Sequence, residues 1–189
     1  MPALFSRPGS SILDRLRCTG RRIAIASVLL GTIAADASAN AVLHVPCSLD
    51  ASEILQLHNA HRDSVGVPPL RWSDSLAAGA QHWANELAAR NQMVHSHTAG
   101  VGENLAMWWG HHPRLDTMID MWTAEKQYFQ PGTFPAVSQT GSWESVAHYS
   151  QMVWRETTDI GCGVADNGRT EYLVCWYNPQ GNFFGKTAY

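Results

Sequence analysis

The sequence is short of charge, of long apolar runs and of cysteine, and each shortage removes a class of protein. Charged residues make up 15% of the 189 positions, with 13 Lys and Arg against 16 Asp and Glu, a formal net charge of −3. Neutralising nucleic-acid phosphates takes a basic face, so no nucleic-acid partner is expected. The longest apolar run, "IAIASVLLGTIAA", falls short of the roughly 20 residues that a helix needs to span a bilayer, and no second run approaches it. There is no HExxH segment to assemble a zinc site locally. No serine sits in a nucleophile-elbow context, which argues against a serine hydrolase. Repeats and low-complexity segments are absent too. What remains is a globular composition, 45% apolar, long enough for one domain with a core and hardly for two.

Residues 1–39 read as a leader. Arg15, Arg17, Arg21 and Arg22 supply a positive start, the apolar run follows, and "ASA" at 37–39 offers small residues for cleavage. That is the pattern of a secretory signal peptide. The residues around Arg21 and Arg22 do not match twin-arginine export. The expected location is extracellular, or periplasmic in a bacterium. Cleavage would lower Lys plus Arg from 13 to 8 and Asp plus Glu from 16 to 14, leaving a net charge of −6 with all nine histidines retained. Residues 40–51 would then form a short N-terminal extension and 52–189 the folded domain, expected to be monomeric and without a membrane span.

Cys18 leaves with the leader, and Cys47, Cys162 and Cys175 stay, an odd number for an oxidising compartment. "GCGVAD" and "TEYLVCWY" are β-like runs on either side of Asn167 and Gly168, a common hairpin-turn pair. A two-residue turn there puts Cys162 and Cys175 on one face, diagonal to each other, and a single bulge brings them opposite. A Cys162–Cys175 disulfide is expected, with Cys47 left free or pairing between molecules.

Four helices are expected. "DASEILQLHNAHRDS" opens with Asp50 as N-cap and Glu53 three residues on, a capping box, and "VPPLRW" ends it. In "SDSLAAGAQHWANELAARN", Leu76, Ala80, Trp83 and Leu87 make an apolar stripe at helical spacing. Residues 94–108 form a loop entering a short helix or strand. "PRLDTMIDMWTAEKQYF" is a third helix with Pro113 in its first turn. "SWESVAHYSQMVW" is the fourth, capped by Ser142, with Glu144 in the first turn. Helices beside a C-terminal hairpin point to an α+β domain with helices covering a small sheet.

Two polar residues interrupt this pattern. The stripe Leu115, Met118, Trp122 of the third helix continues onto Glu125, and His148 lies among apolar neighbours in the fourth. A buried carboxylate costs several kcal/mol unless it is paired. Taken with Glu103, flanked by glycine, and His95 in a loop, they form a set of two imidazoles and two carboxylates that suits zinc or a similar divalent ion. Each residue alone reads as structural, and their spacing over more than fifty positions does not by itself assemble them.

"HYSQMVWRET" (148–157) and "YLVCWYNPQGN" (172–182) resemble the two signature segments of the CAP superfamily, which includes cysteine-rich secretory proteins, venom antigens and plant pathogenesis-related proteins. "LHNAHR", "PLRWSDSLAAGAQHWANELA", "HS", "GENLA" and "MWTAE" follow in the family's order. The resemblance implies a three-layer α-β-α sandwich with a central cleft carrying His95, Glu103, Glu125 and His148, the histidines as direct metal ligands and the glutamates flanking them. It also implies that His58, Asn59 and Arg62 tie down the first helix. The chain departs from the family pattern at Ala147, usually Gly or a charged residue. It departs again at Trp176, usually small and polar, where an exposed aromatic is expected. Only one of the family's several disulfides can form. His97 reads as a solvent-exposed imidazole, His111 and His112 as an exposed turn, and Trp108 and Trp109 as core plus rim.

Three functions follow. The first is a secreted, non-enzymatic binding module for a small lipid, sterol or peptide, with a divalent metal organising the cleft. The second is a metal-dependent hydrolase or peptidase with Glu103 or Glu125 as base. The third is an extracellular interaction protein whose tetrad is a polar core network.

Overall fold

The computed structural model describes residues 49–110 and 113–189. The leader, Cys47, His111 and His112 lie outside the described residues.

Helix α1 (Ala51–Ser64) has the expected N-cap residue, the Asp50 carboxylate accepting from the Ser52 N–H at 2.9 Å rather than from the Glu53 amide of a capping box. Its buried face carries Ile54, His58 and Arg62. Arg62 is wholly enclosed and spends its guanidinium on four main-chain carbonyls, those of Pro68, Met152, Trp154 and Thr157. Asn59 exchanges hydrogen bonds with the N–H and C=O of Leu70. The first helix is thereby fastened to the segment that enters strand β1 (Arg71–Trp72) and to the segment that precedes β3.

The sheet has four strands in the order β1-β3-β4-β2, with β2 spanning Gly102–Trp109, β3 Asp159–Asp166 and β4 Thr170–Asn178. β1 runs parallel to β3, and the other neighbours are antiparallel. Helix α2 (Asp74–Arg90) covers one face. Gly161 and Gly163 of β3 allow it to touch: a Cβ there would lie 2.1 Å from the Ala77 nitrogen and 2.2 Å from the Gln81 Cα. Ala80, Ala84 and Leu87 then meet Leu105, Tyr172 and Val174. Ala84, not the half-exposed Trp83, completes the buried stripe with Leu76, Ala80 and Leu87. On the other face Ile160, Cys162, Leu173, Cys175 and Tyr177 pack against Ile54, Met118, Ile119, Trp122 and Met152 from three helices. The architecture is the expected α-β-α sandwich. Among the described residues no helix is long and apolar enough to cross a membrane.

Cys162 and Cys175 are disulfide-bonded and directly opposite in register. No bulge is required, because the turn sits one residue later than the sequence suggests. Asn167 faces Thr170 across the turn, and its side-chain oxygen accepts from the N–H groups of Arg169 and Thr170. Gly168 takes the positive φ, at 81°.

Two helices differ from their expected extents. α3 runs only Leu115–Thr123, starting after Pro113 with Arg114 at its cap, and passes into a 3-10 turn at Ala124–Gln127. The fourth is broken. A 3-10 turn, Trp143–Val146, is followed by a separate six-residue α4, Ala147–Met152, after Val146 leaves helical geometry at φ −136°. Ser142 makes no capping bond to the backbone, its hydroxyl instead donating to Glu144.

Candidate functional site

The four residues singled out in the sequence are brought together as two histidine–glutamate pairs. His95 lies in the loop that leads into β2, and Glu103 is on β2 itself. His95 Nδ1 is 2.7 Å from Glu103 Oε1, which also accepts from the Ser96 N–H at 2.9 Å. Glu103 Oε2 accepts from the Trp176 indole at 2.8 Å. In the second pair, His148 Nδ1 is 2.6 Å from Glu125 Oε1, and Glu125 Oε2 accepts from the Tyr149 N–H at 3.0 Å. Both carboxylates bind one histidine and the amide of the residue that follows it.

The exposures rank the four. The His95 and His148 side chains are 55% and 29% accessible, and those of Glu103 and Glu125 are 7% and 17%. The imidazoles stand outward with the carboxylates behind them. Among the described residues neither Nε2 has a hydrogen-bond partner. By donor chemistry each histidine could ligate a divalent ion, since an Nδ1–H given to a carboxylate leaves the Nε2 lone pair free. Glu103 holds the His95 pKa up, against the opposing effect of burial. For Glu103 itself burial pushes upward, but the bonds from His95, Ser96 and Trp176 outweigh it and leave the carboxyl below its ordinary range.

Glu103 and Asn104 are consecutive on β2 and so point to opposite faces. Glu103 faces the α2 side, opposite Trp176. Asn104 faces the other side, where its amide donates to the His148 carbonyl at 3.1 Å and to the Tyr177 hydroxyl at 3.2 Å. Tyr177 meets His58 Nε2 at 2.9 Å, and His58 Nδ1 donates to the Ile54 carbonyl, also at 2.9 Å. A carbonyl can only accept, so Nδ1 carries the proton and Nε2 accepts from Tyr177. Burial drives the His58 pKa down to about 4, against the pull of the Ile54 carbonyl and with help from the Arg62 and His61 charges. Trp122 completes the frame: its indole donates to the Leu105 carbonyl on β2 at 3.0 Å, and its ring stacks on His148 at 6.1 Å. The edge strand thus separates the pairs and holds both. Among the described residues no three His, Cys, Asp or Glu side chains form one ready group for a metal. The hollow beside the first pair is lined by His95, Ser96, His97, Thr98, Val101 and Glu103.

Asn104, Tyr177 and Trp176 belong to the site and were not singled out for it in the sequence. Trp176 is half-buried rather than the exposed aromatic expected, because its indole packs on Gly79 of α2. Trp108 and Trp109 both lie on the rim, Trp109 78% exposed, since β2 outruns the helices that cover its first half. The serines near His148 serve elsewhere, Ser150 bonding Asn182 and Ser145 joining Ser138 and Thr140.

The fold has relatives among known proteins. The chain is 38% identical over 138 residues to pathogenesis-related protein 1C of Nicotiana tabacum, covering 72% of this chain and 79% of that one. It is 35% identical to the PR-1 type pathogenesis-related protein of Sambucus nigra, covering 72% and 80%. Among solved structures, that of NaASP2 with Zn2+ superposes with a TM-score of 0.61 at 25% identity, covering 73% of this chain and 83% of the other. Residues 55–177 match the CAP model, described as the cysteine-rich secretory protein family, and with the sandwich and its two histidine–glutamate pairs in place, the chain belongs to that family.

Proposed function

We propose that the chain is a secreted, extracellular binding module in which His95 and His148 hold a divalent ion, zinc foremost, beside a rim that takes a small lipid, sterol or peptide. The observation that carries this reading is the order of exposure: unpartnered Nε2 atoms outward, carboxylates enclosed behind them. Such carboxylates orient ligand histidines. When bound, the ion supplies a positive centre for a ligand oxygen. Met93 and Val94, both exposed, run directly into His95 and offer it an apolar border. The Zn2+ in the NaASP2 structure supports the choice of metal. The family's description as secretory supports the location.

Binding is favoured over hydrolysis by the state of the glutamates. A general base needs an oxygen turned toward the water it deprotonates. Here both oxygens of Glu103 and both of Glu125 are already engaged by histidine, amide or indole donors.

Calorimetry of the exported protein with zinc tests the reading. His95→Ala with His148→Ala should abolish binding and leave the fold intact. Glu125→Gln should weaken it by about 10–100-fold, the usual effect of a residue behind a ligand. A double-alanine protein that binds zinc as tightly as the parent would remove these histidines from the metal site.

A further inference from the structure

We propose that Trp176 is a positioning residue for His95: its indole, seated in a notch at Gly79, fixes the Glu103 carboxylate and through it keeps His95 Nε2 turned outward. This rests on the reading of His95 as a metal ligand.

The two pairs differ in one respect. Glu125 has each oxygen held separately, Oε1 by His148 and Oε2 by the Tyr149 amide. Glu103 has both the His95 ring and the Ser96 amide on the same oxygen, Oε1. Its Oε2 is held by Trp176. An enclosed carboxylate needs partners on both oxygens, so the second oxygen of this pair depends on a side chain where the other pair uses backbone. An indole N–H can only donate, and a carboxylate can only accept, so the bond has one polarity and one direction.

Trp176 is itself held. It lies directly opposite Glu103 in the β2–β4 register. Its six-membered ring occupies the space that a side chain at position 79 would fill: a Cβ there would lie 2.1 Å from Trp176 Cζ3, and the next two nearest atoms belong to the same ring. Glycine in the middle of α2 weakens the helix, and what the helix gains for it is room for this indole.

The test reads the Trp176 indole N–H and the His95 ring nitrogens by 15N NMR of the exported protein at a pH where the imidazole is neutral, together with zinc calorimetry. In the wild type the Trp176 N–H should exchange slowly with water and shift on adding zinc, and His95 should hold the Nδ1–H tautomer. In Trp176→Phe, which keeps an aromatic ring over Gly79, His95 should populate both tautomers while His148 is unchanged. Zinc affinity should fall about 10–100-fold. A Trp176→Phe protein with an unaltered His95 tautomer, or with parental zinc affinity, overturns the proposal. Should that variant not fold, the wild type decides: a Trp176 N–H exchanging as fast as that of the exposed Trp109 overturns it, and a protected one supports it. If the wild type takes up no zinc, the metal reading falls, and the tautomer comparison still decides the role of Trp176.

Discussion

Acid should destabilise this protein through His58 in a window that a single substitution can isolate. His58 is fully enclosed, and burial pulls its pKa from the ordinary 6.5 to about 4. Above pH 6.5 the imidazole is neutral in both the folded and the unfolded chain, and stability is insensitive to it. As the pH falls below 6.5 the unfolded chain takes up a proton that the folded one refuses, so stability drops. It stops dropping near pH 4, where the folded chain protonates as well. The slope is about 1.4 kcal/mol per pH unit, and the whole window amounts to about 3 kcal/mol, a large share of the 5–15 kcal/mol typical of a domain. Desolvation cannot be offset by reorganisation: Nδ1 is committed to the Ile54 carbonyl and Nε2 to Tyr177. The strongest charge effect on it comes from the enclosed Arg62, of like sign to a protonated imidazole. Urea unfolding of the wild type and of His58→Gln from pH 8 to 4 measures the effect. Both proteins share every carboxylate, so acid losses from Glu103, Asp116 and Asp159, which sit below their ordinary range, cancel in the difference. The variant should start lower, for want of a well-fitted ring, and the two curves should converge by about 3 kcal/mol between pH 6.5 and 4. Curves that stay parallel would refute the argument, and with it the neutral, Nδ1-protonated His58 that the site geometry requires.

Arg62→Met should destabilise the fold by about 3–5 kcal/mol by chemical denaturation, because four carbonyls in two segments lose a charged donor at once. Gly163→Ala should cost about 3 kcal/mol or more, since a Cβ 2.2 Å from the Gln81 Cα meets helix backbone that cannot rotate away. The same exchange at Gly168 should cost less, about 1 kcal/mol, because only its positive φ is strained and open space surrounds it. Melting temperatures of the two alanine variants give the comparison, and equal losses would count against the close α2–β3 contact.

Most of the frame could be read from local signals. Asp50 before an amphipathic run, the Ala-rich α2 and the alternating strands on either side of Asn167 each state their structure within a few residues. The hairpin turn lies one residue later than its sequence suggests because Asn167 acts through its side chain, accepting two turn amides and donating to Ala88 of α2 and to Asn91, the C-cap of that helix. The site was legible only as polar residues in apolar company. Its supporting cast was not, since Asn104, Tyr177 and Trp176 acquire their roles from cross-strand register. A signal for Trp176 was nonetheless present: Gly79, a lone glycine inside an alanine-rich helix, marks a place where another part of the chain must come close.

The broken fourth helix shows why the site and the local sequence disagree. Each pair needs a free amide directly after its histidine, to fill the carboxylate beside the ring. Ser96 has one because it lies in a loop. Tyr149 would not have one in a continuous helix begun at Ser142, where its N–H would be spent on the carbonyl four residues back. Val146 interrupts the helix, α4 starts afresh at Ala147, and Tyr149 falls within the first turn, whose amides have no helical partner. Glu125 reaches that amide and the His148 ring from the 3-10 turn after α3, where the tighter winding turns the carboxylate off the apolar stripe that Met118 and Trp122 had set. Two irregularities that weaken the helices, one on each side, are the condition for the second pair to exist, so restoring regular helix at either place should remove the pair rather than improve the fold.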